Sequence, residues 1–135
     1  MTGTKKMKPK VLIVDDDVAI TQQLFWTLCD EFEVMTANSL SSAIRRATIY
    51  EPDIAILDLH LPPTLDAPDT SLRILDYVKS HLPASKVFVA SSDPSVEVRK
   101  DCIRRGADGF FDKPLDVERL LSTVRRMAVA GRLAA

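Results

Sequence analysis

Three carboxylates, a hydroxyl and an ammonium stand out in this sequence, because each closes a run of apolar residues that does not explain it. Asp15 and Asp16 follow Lys10-Val11-Leu12-Ile13-Val14, and Asp58 follows Ile54-Ala55-Ile56-Leu57. Ser91 ends the run from Lys86 to Ala90, and Lys113 comes just after the run from Asp108 to Phe111. Short unbroken apolar runs suit strands buried on both faces of a parallel sheet. The carboxyl ends of such strands lie on one edge, where open α/β sheets place their ligands. Gathered there, the carboxylates repel one another and their pKa values rise unless a cation intervenes. Oxygen-only ligands with open positions suit Mg²⁺, which keeps several waters and takes one or two carboxylates plus phosphate oxygens. Mg²⁺ binding beside a phosphate is the chemistry these groups could support.

Each residue also has a plainer explanation. Asp58 could cap a turn, since Pro62 and Pro63 soon forbid regular pairing. Asp15 to Asp17 could simply start a helix, where carboxylates favour the positive end of the dipole. That explanation suffices for Asp17. Ser91 alone would be a turn hydroxyl and Phe110 alone a core residue, whereas Lys113 before Pro114 at a strand end is unusual by itself. His60 has no histidine or cysteine near it at ligand spacing, so its side chain is a poor candidate metal ligand. The coincidence of separate strand ends selects the site.

The intervening segments supply helices. Ile20, Leu24, Phe25 and Leu28 recur at helical spacing, predicting a helix from about Asp17 to Asp30. Glu33 to Thr36 reads as a short edge strand. Ser39 can cap a helix striped by Leu40, Ala43, Ile44 and Ala47, which Glu51-Pro52 ends. The stretch from Pro63 to Thr70 reads as a loop, after which Leu72, Leu75, Val78 and Leu82 mark a third helix. Asp93 as N-cap with Pro94 at the first helical position predicts a fourth, Ser95 to Arg105, with a weak stripe of Val98 and Cys102. Gly106 should terminate it. Asp116 caps a fifth, striped by Val117, Leu120, Leu121, Val124 and Met127. Five alternating strand–helix units mean an α/β fold: a doubly wound parallel sheet with helices on both faces and right-handed crossovers.

The chain of 135 residues is long enough for one well-buried core. We expect a disordered tail over residues 1–8, one domain over 9–130, and a C-terminal tail or linker start over 131–135. Apolar residues at 46% and charged residues at 27% fit a globular protein, and a net charge of −1 gives no general reason for nucleic-acid or membrane binding. Cys29 and Cys102 lie in apolar-periodic segments without a partner motif, and read as small buried hydrophobes in a reducing compartment. No apolar signal region follows the basic N-terminus and no run reaches membrane-spanning length, so the expected location is the cytoplasm.

From Lys10 to Met127 the sequence resembles the receiver domain of two-component response regulators. Four motifs carry the resemblance: Val-Leu-Ile-Val-Asp15-Asp16-Asp, Ile-Leu-Asp58-Leu-His-Leu-Pro62, Val-Ala-Ser91-Ser92, and Gly106-Ala-Asp-Gly-Phe110-Phe-Asp-Lys113-Pro114. Each is weak alone; in order, at the right strand ends, they are specific. The resemblance implies a flavodoxin-like sheet of order 2-1-3-4-5. It makes Asp58 the phosphoacceptor, receiving its phosphoryl group from a sensor histidine kinase, a phosphotransfer protein or a small donor such as acetyl phosphate. Mg²⁺, with Mn²⁺ able to substitute, would be held by Asp15, Asp16, Asp58 and the His60 backbone carbonyl. Lys113 would pair with Asp58 and then with phosphoryl oxygens. Ser91 would bind the phosphoryl group with backbone N–H groups near Leu59 and Ser92, and Ser91 and Phe110 would form the switch. His60 and Asp93 would tune dephosphorylation, and Lys113–Pro114 would be a cis peptide.

On that reading the protein is a signalling switch and not an enzyme acting on other substrates. Phosphorylation would remodel the face of the fourth helix, fifth strand and fifth helix, controlling an output such as transcription. Arg99, Lys100, Arg104, Arg119 and Arg126 near that face could build a homodimer or meet a partner. No effector module is recognisable, and direct nucleic-acid or membrane binding is not expected. Two departures from the family are visible: the insertion between Pro63 and Thr70, with Ser71 where glycine is common, and a Phe110 without the hydroxyl many relatives carry. A similar extended loop occurs in receivers attached to ATPase-type transcriptional activators. One alternative is a pseudo-receiver that docks without being phosphorylated, against which the intact acidic set and Lys113 count. Another is a haloacid-dehalogenase-type phosphatase using Asp15, disfavoured by the short chain and by Ala19 two residues after Asp17.

Overall fold

The computed structural model describes residues 8–61, 69–92 and 95–134, with side chains as far as Val129. In chain order the elements are β1 (Lys10–Val14), α1 (Val18–Leu28), β2 (Glu33–Ala37), α2 (Leu40–Tyr50) and β3 (Ile54–Asp58). They continue with α3 (Asp69–His81), β4 (Lys86–Ser91), α4 (Val96–Arg104), β5 (Gly109–Asp112) and α5 (Val117–Ala134). All strand pairs are parallel and the order is β2-β1-β3-β4-β5, as the family resemblance implied. Among the described residues, no helix is long and apolar enough to cross a membrane.

The apolar runs are unbroken because both faces of the sheet are covered. Side chains alternate across a strand. Leu12, Val14, Ala55, Leu57, Val87 and Val89 therefore face Ala43 and Ala47 of α2, Leu72, Leu75 and Val78 of α3, and Cys102 of α4. On the other face Val11, Ile13, Ile54, Ile56, Phe88 and Phe111 meet Leu24 and Leu28 of α1 and Leu120 and Val124 of α5. Each fully buried aliphatic side chain contributes roughly 1.5–3 kcal/mol. The strands that end in the carboxylates are thus anchored in the buried core.

Capping fixes where the helices begin. The Asp17 carboxylate accepts from the N–H groups of Ala19 (2.9 Å) and Ile20 (3.3 Å), a purely structural role. Ser39 and Ser42 form a reciprocal capping box at α2. At α4 the expectation needs correction: Ser95 is the N-cap, accepting from Val98 N–H at 3.4 Å, and the helix starts at Val96. Ser95 offers a capping oxygen directly before the Val98–Cys102 stripe; Asp93 and Pro94 lie outside the described residues. The third helix begins earlier than expected, at Asp69, whose carboxylate favours the helix N-terminus. Residues 63–68 of the expected insertion lie outside the described residues. The last helix runs past the expected boundary at residue 130 to Ala134. Cys102 is buried as expected, and burial followed by the Asp101 charge raises its thiol pKa. Cys29 is only half-buried, because it is the C-cap residue of α1 and not part of its apolar face.

Gly106 ends α4 at φ +106°, with its N–H on the Ile103 carbonyl and the Ala107 N–H on that of Cys102, both at 2.9 Å. A Cβ there would stand 3.1 Å from Lys79 Cγ. Lys79 cannot easily give way, since its ammonium binds the Ser85 carbonyl (2.8 Å) and Asp108 (2.9 Å). Gly106→Ala should therefore destabilise the fold by on the order of 1–3 kcal/mol, measured as a lower urea midpoint.

Candidate functional site

The carboxyl edge of the sheet brings Asp15, Asp16 and Asp58 together, with one oxygen from each within 4.8 Å of the others. Asp15 and Asp58 are only 5% and 7% exposed, whereas Asp16 is open to solvent. Lys113, delivered by β5 and followed by a cis peptide to Pro114, places Nζ 3.1 Å from Asp15 Oδ2 and 3.2 Å from Asp58 Oδ1. Asp17 N–H donates to Asp15 Oδ1 at 2.9 Å, so both Asp15 oxygens are engaged. Asp58 differs. His60 N–H donates to its Oδ1 at 3.2 Å, alongside Lys113, while its Oδ2 accepts nothing from the described residues.

The backbone also distributes the remaining groups. Leu59 N–H donates to the Ala90 carbonyl at 3.0 Å as part of the β3–β4 ladder. The Leu59 N–H is thus occupied in this arrangement, while the His60 N–H turns toward the carboxylate. Ser91 is buried at the end of β4, where Lys113 N–H donates to its carbonyl at 3.0 Å, and Ser92 beside it is exposed. Phe110 is half-buried against the α2–α4 side of the core, with the Arg99 guanidinium 5.4 Å from its ring centroid. Asp93 lies outside the described residues. One positioning group escaped the sequence reading: the buried Ser71 hydroxyl, near the start of α3, donates a short hydrogen bond to the Asp58 carbonyl. It was visible only as an odd residue where relatives carry glycine.

Electrostatics follow from this geometry. Burial, then the charge of Asp15, raises the Asp58 pKa above its ordinary 3.8, against the opposing pull of Lys113 and the His60 N–H. Burial alone would lower Lys113, but the charges of Asp58 and Asp15 outweigh it and hold the ammonium above 10.5. With all groups ionised, three carboxylates face one ammonium, leaving two negative charges uncompensated. Oxygen donors, a solvent-open Asp16 and that charge deficit fit Mg²⁺ well. An open cleft of roughly 300 Å³, lined by Asp15, Asp16, Thr21, Asn38, Ser42 and Arg46 among others, gives access from the β2 side.

A pH dependence follows. Because the folded Asp58 holds its proton above 3.8, the folded state binds more protons than the unfolded state just above that value. Its contribution to stability therefore falls as pH rises through the window from 3.8 to the raised pKa. Lys113 has the same sign at alkaline pH: its contribution is fully present below 10.5 and is lost as pH rises through its raised pKa. Urea unfolding without Mg²⁺ should show wild type losing stability relative to Asp58→Asn across the acidic window. Added Mg²⁺ should restore it above that window by mass action. Parallel pH profiles for the two proteins would contradict this.

The family model described as "Response regulator receiver domain" matches residues 11–125. The chain is 35% identical over 122 residues to the transcriptional regulatory protein PrrA of Mycobacterium leprae, covering 88% of this chain and 49% of the relative. It is 30% identical over 129 residues to the nitrogen assimilation regulatory protein NtrX of Azorhizobium caulinodans, covering 94% of this chain and 28% of that one. The chain thus spans about half the length, or less, of these curated relatives. Among solved structures, NtrX from Brucella abortus superposes with a TM-score of 0.81 at 30% identity, over 95% of this chain and 29% of that one. A CheY-like receiver domain protein from Methanospirillum hungatei superposes at 0.85 over 95% and 99% of the two chains; at 22% identity it speaks to fold alone.

Proposed function

The chain belongs to the response regulator receiver domain family, and on that premise we propose that it is a phosphorylation-dependent switch with Asp58 as phosphoacceptor. The observation that carries this reading is the asymmetry of the two buried carboxylates. Both Asp15 oxygens are engaged, whereas Asp58, a member of the acidic cluster, is held at Oδ1 and has no partner at Oδ2 among the described residues. The same asymmetry counts against a phosphatase built on Asp15.

Asp58 Oδ2 attacks the phosphorus of a phosphohistidine or acetyl phosphate; the P–N or P–O bond to the donor breaks, and the donor leaves with the electron pair. A carboxylate is a weak nucleophile, so positioning and charge neutralisation carry most of the rate. Mg²⁺, held by Asp15, Asp16, Asp58 and the His60 backbone carbonyl, supplies charge neutralisation when bound. Lys113 transfers its ammonium from the carboxylates to a phosphoryl oxygen. The Ser91 hydroxyl and the N–H groups of His60 and Ser92 take the others. Phe110 follows Ser91, altering the face of α4, β5 and α5, which meets a second copy or an effector. His60 and Asp93 flank the acyl phosphate and set its lifetime. The donor partner is a sensor histidine kinase or phosphotransfer protein in the cytoplasm, and neither nucleic acid nor membrane is bound directly.

Intact-mass measurement after incubation with acetyl phosphate tests the reading. A single base-labile phosphoryl adduct that requires Mg²⁺ is expected. No adduct with acetyl phosphate or with a range of sensor kinases would instead favour the pseudo-receiver.

A further inference from the structure

Helix α4 is held unevenly. Cys102 is its only buried residue, with Val98 partly buried, while Val96 and Ile103 are 62% and 59% exposed. Just past its C-terminus, Arg105 pairs with Asp76 of α3 at 2.6 Å and with Asp101 at 3.2 Å. In its first half Arg99 links it to β5. Arg99 forms an ion pair with Asp112, and the same guanidinium lies 5.4 Å from the Phe110 ring centroid. Phe110 and Asp112 are two apart in β5, so they share a face; Phe111 between them faces the opposite core. Asp112 directly precedes Lys113, the ammonium that bridges Asp15 and Asp58.

We propose that Arg99 is the positioning residue that couples helix α4 to the phosphorylation site, clamping Phe110 and Asp112 in the resting arrangement. This rests on the phosphoacceptor reading above. The clamp is made while Lys113 still bridges the two carboxylates. A phosphoryl group that draws Lys113 and Ser91 inward pulls on β5 at Asp112, which Lys113 directly follows and with which Ser91 pairs in register, so the clamp opposes it. Coupling of this kind is reciprocal: whatever favours the resting arrangement weakens phosphoryl binding by the same factor. Side-chain exposures of 39% for Arg99 and 68% for Asp112 make the clamp weak, as a readily reversed switch requires. A half-exposed ion pair plus a guanidinium over the Phe110 ring sets the factor at about three- to fivefold.

The test uses beryllofluoride, a phosphoryl mimic, titrated at saturating Mg²⁺ and followed by ¹⁹F NMR. Arg99→Gln and Asp112→Asn should each bind it about three- to fivefold more tightly than wild type. The double variant should gain no more than either single change, because both break one clamp. Arg99→Lys keeps the charge without the guanidinium fork and should fall between. Mg²⁺ affinity without beryllofluoride should stay at the wild-type value in all four. Unchanged or weaker beryllofluoride binding, additive gains, or an equal shift in Mg²⁺ affinity would overturn the proposal. Failure of wild type to bind beryllofluoride while binding Mg²⁺ would overturn the phosphoacceptor reading itself.

Discussion

Asp58→Asn should abolish phosphoryl incorporation and at the same time make the metal-free protein more stable. The amide has no anionic oxygen, so the nucleophile is lost outright, and one carboxylate of the three-member cluster goes with it. The rate with acetyl phosphate should fall by at least about a thousandfold. Stability moves the other way because Asp58 carries its charge against burial and against Asp15. A neutral isostere removes both penalties and leaves Lys113 to Asp15, its partner at 3.1 Å. On the order of 1 kcal/mol of relief corresponds to a rise of a few degrees in the unfolding midpoint for a domain of this size. Intact mass and thermal unfolding in a chelator read the two effects together. A variant that still takes up phosphate, or that unfolds earlier than wild type, contradicts this account of the site.

Lys113→Gln should lose in both respects. The lysine is the described cation that bridges the two buried carboxylates, 3.1 Å from Asp15 and 3.2 Å from Asp58. Its loss leaves them repelling at close range, which raises the Asp58 pKa further and moves the onset of Mg²⁺ binding to higher pH. Breaking a buried ion pair costs about 3–5 kcal/mol; with the Lys113 side chain 18% exposed, about 1–3 kcal/mol is the reasonable expectation. Mg²⁺ should recover part of that stability, since it supplies the missing positive charge. It should not recover the rate: losing one donor aimed at the developing charge costs about a hundredfold. Acetyl phosphate kinetics at saturating Mg²⁺, beside urea unfolding with and without the metal, separate these effects. Wild-type kinetics in this variant would remove Lys113 from the mechanism.

Much of this was legible in the sequence because both faces of the sheet are buried. Continuous runs such as Val11-Leu12-Ile13-Val14 suited buried strands, and the recurrence of charged or polar residues after several such runs pointed to the ligand edge. The features that escaped depend on how elements meet. Whether Leu59 or His60 turns its N–H toward Asp58 is a matter of pleat parity, fixed by pairing with β4 through Leu59 N–H and the Ala90 carbonyl. Ser71 reaches the Asp58 carbonyl only because α3 starts at Asp69, and residues 62–68 carry no periodicity from which that start could be read. The sequence suggested Asp93 as the cap of α4, whereas the backbone makes Ser95 the N-cap and Val96 the first helical residue. Arg99 looked like one of several surface arginines until the placement of α4 set it against Asp112 and Phe110.

The central claim is that Asp58, and no other carboxylate of the cluster, forms the acyl phosphate. Borohydride reduction of the phosphorylated chain, followed by peptide mapping, tests it most directly, because reduction converts a phosphorylated aspartate to homoserine and leaves free carboxylates intact. Homoserine at position 58 alone is the predicted result. Homoserine at position 15 or 16, with aspartate retained at 58, would contradict it.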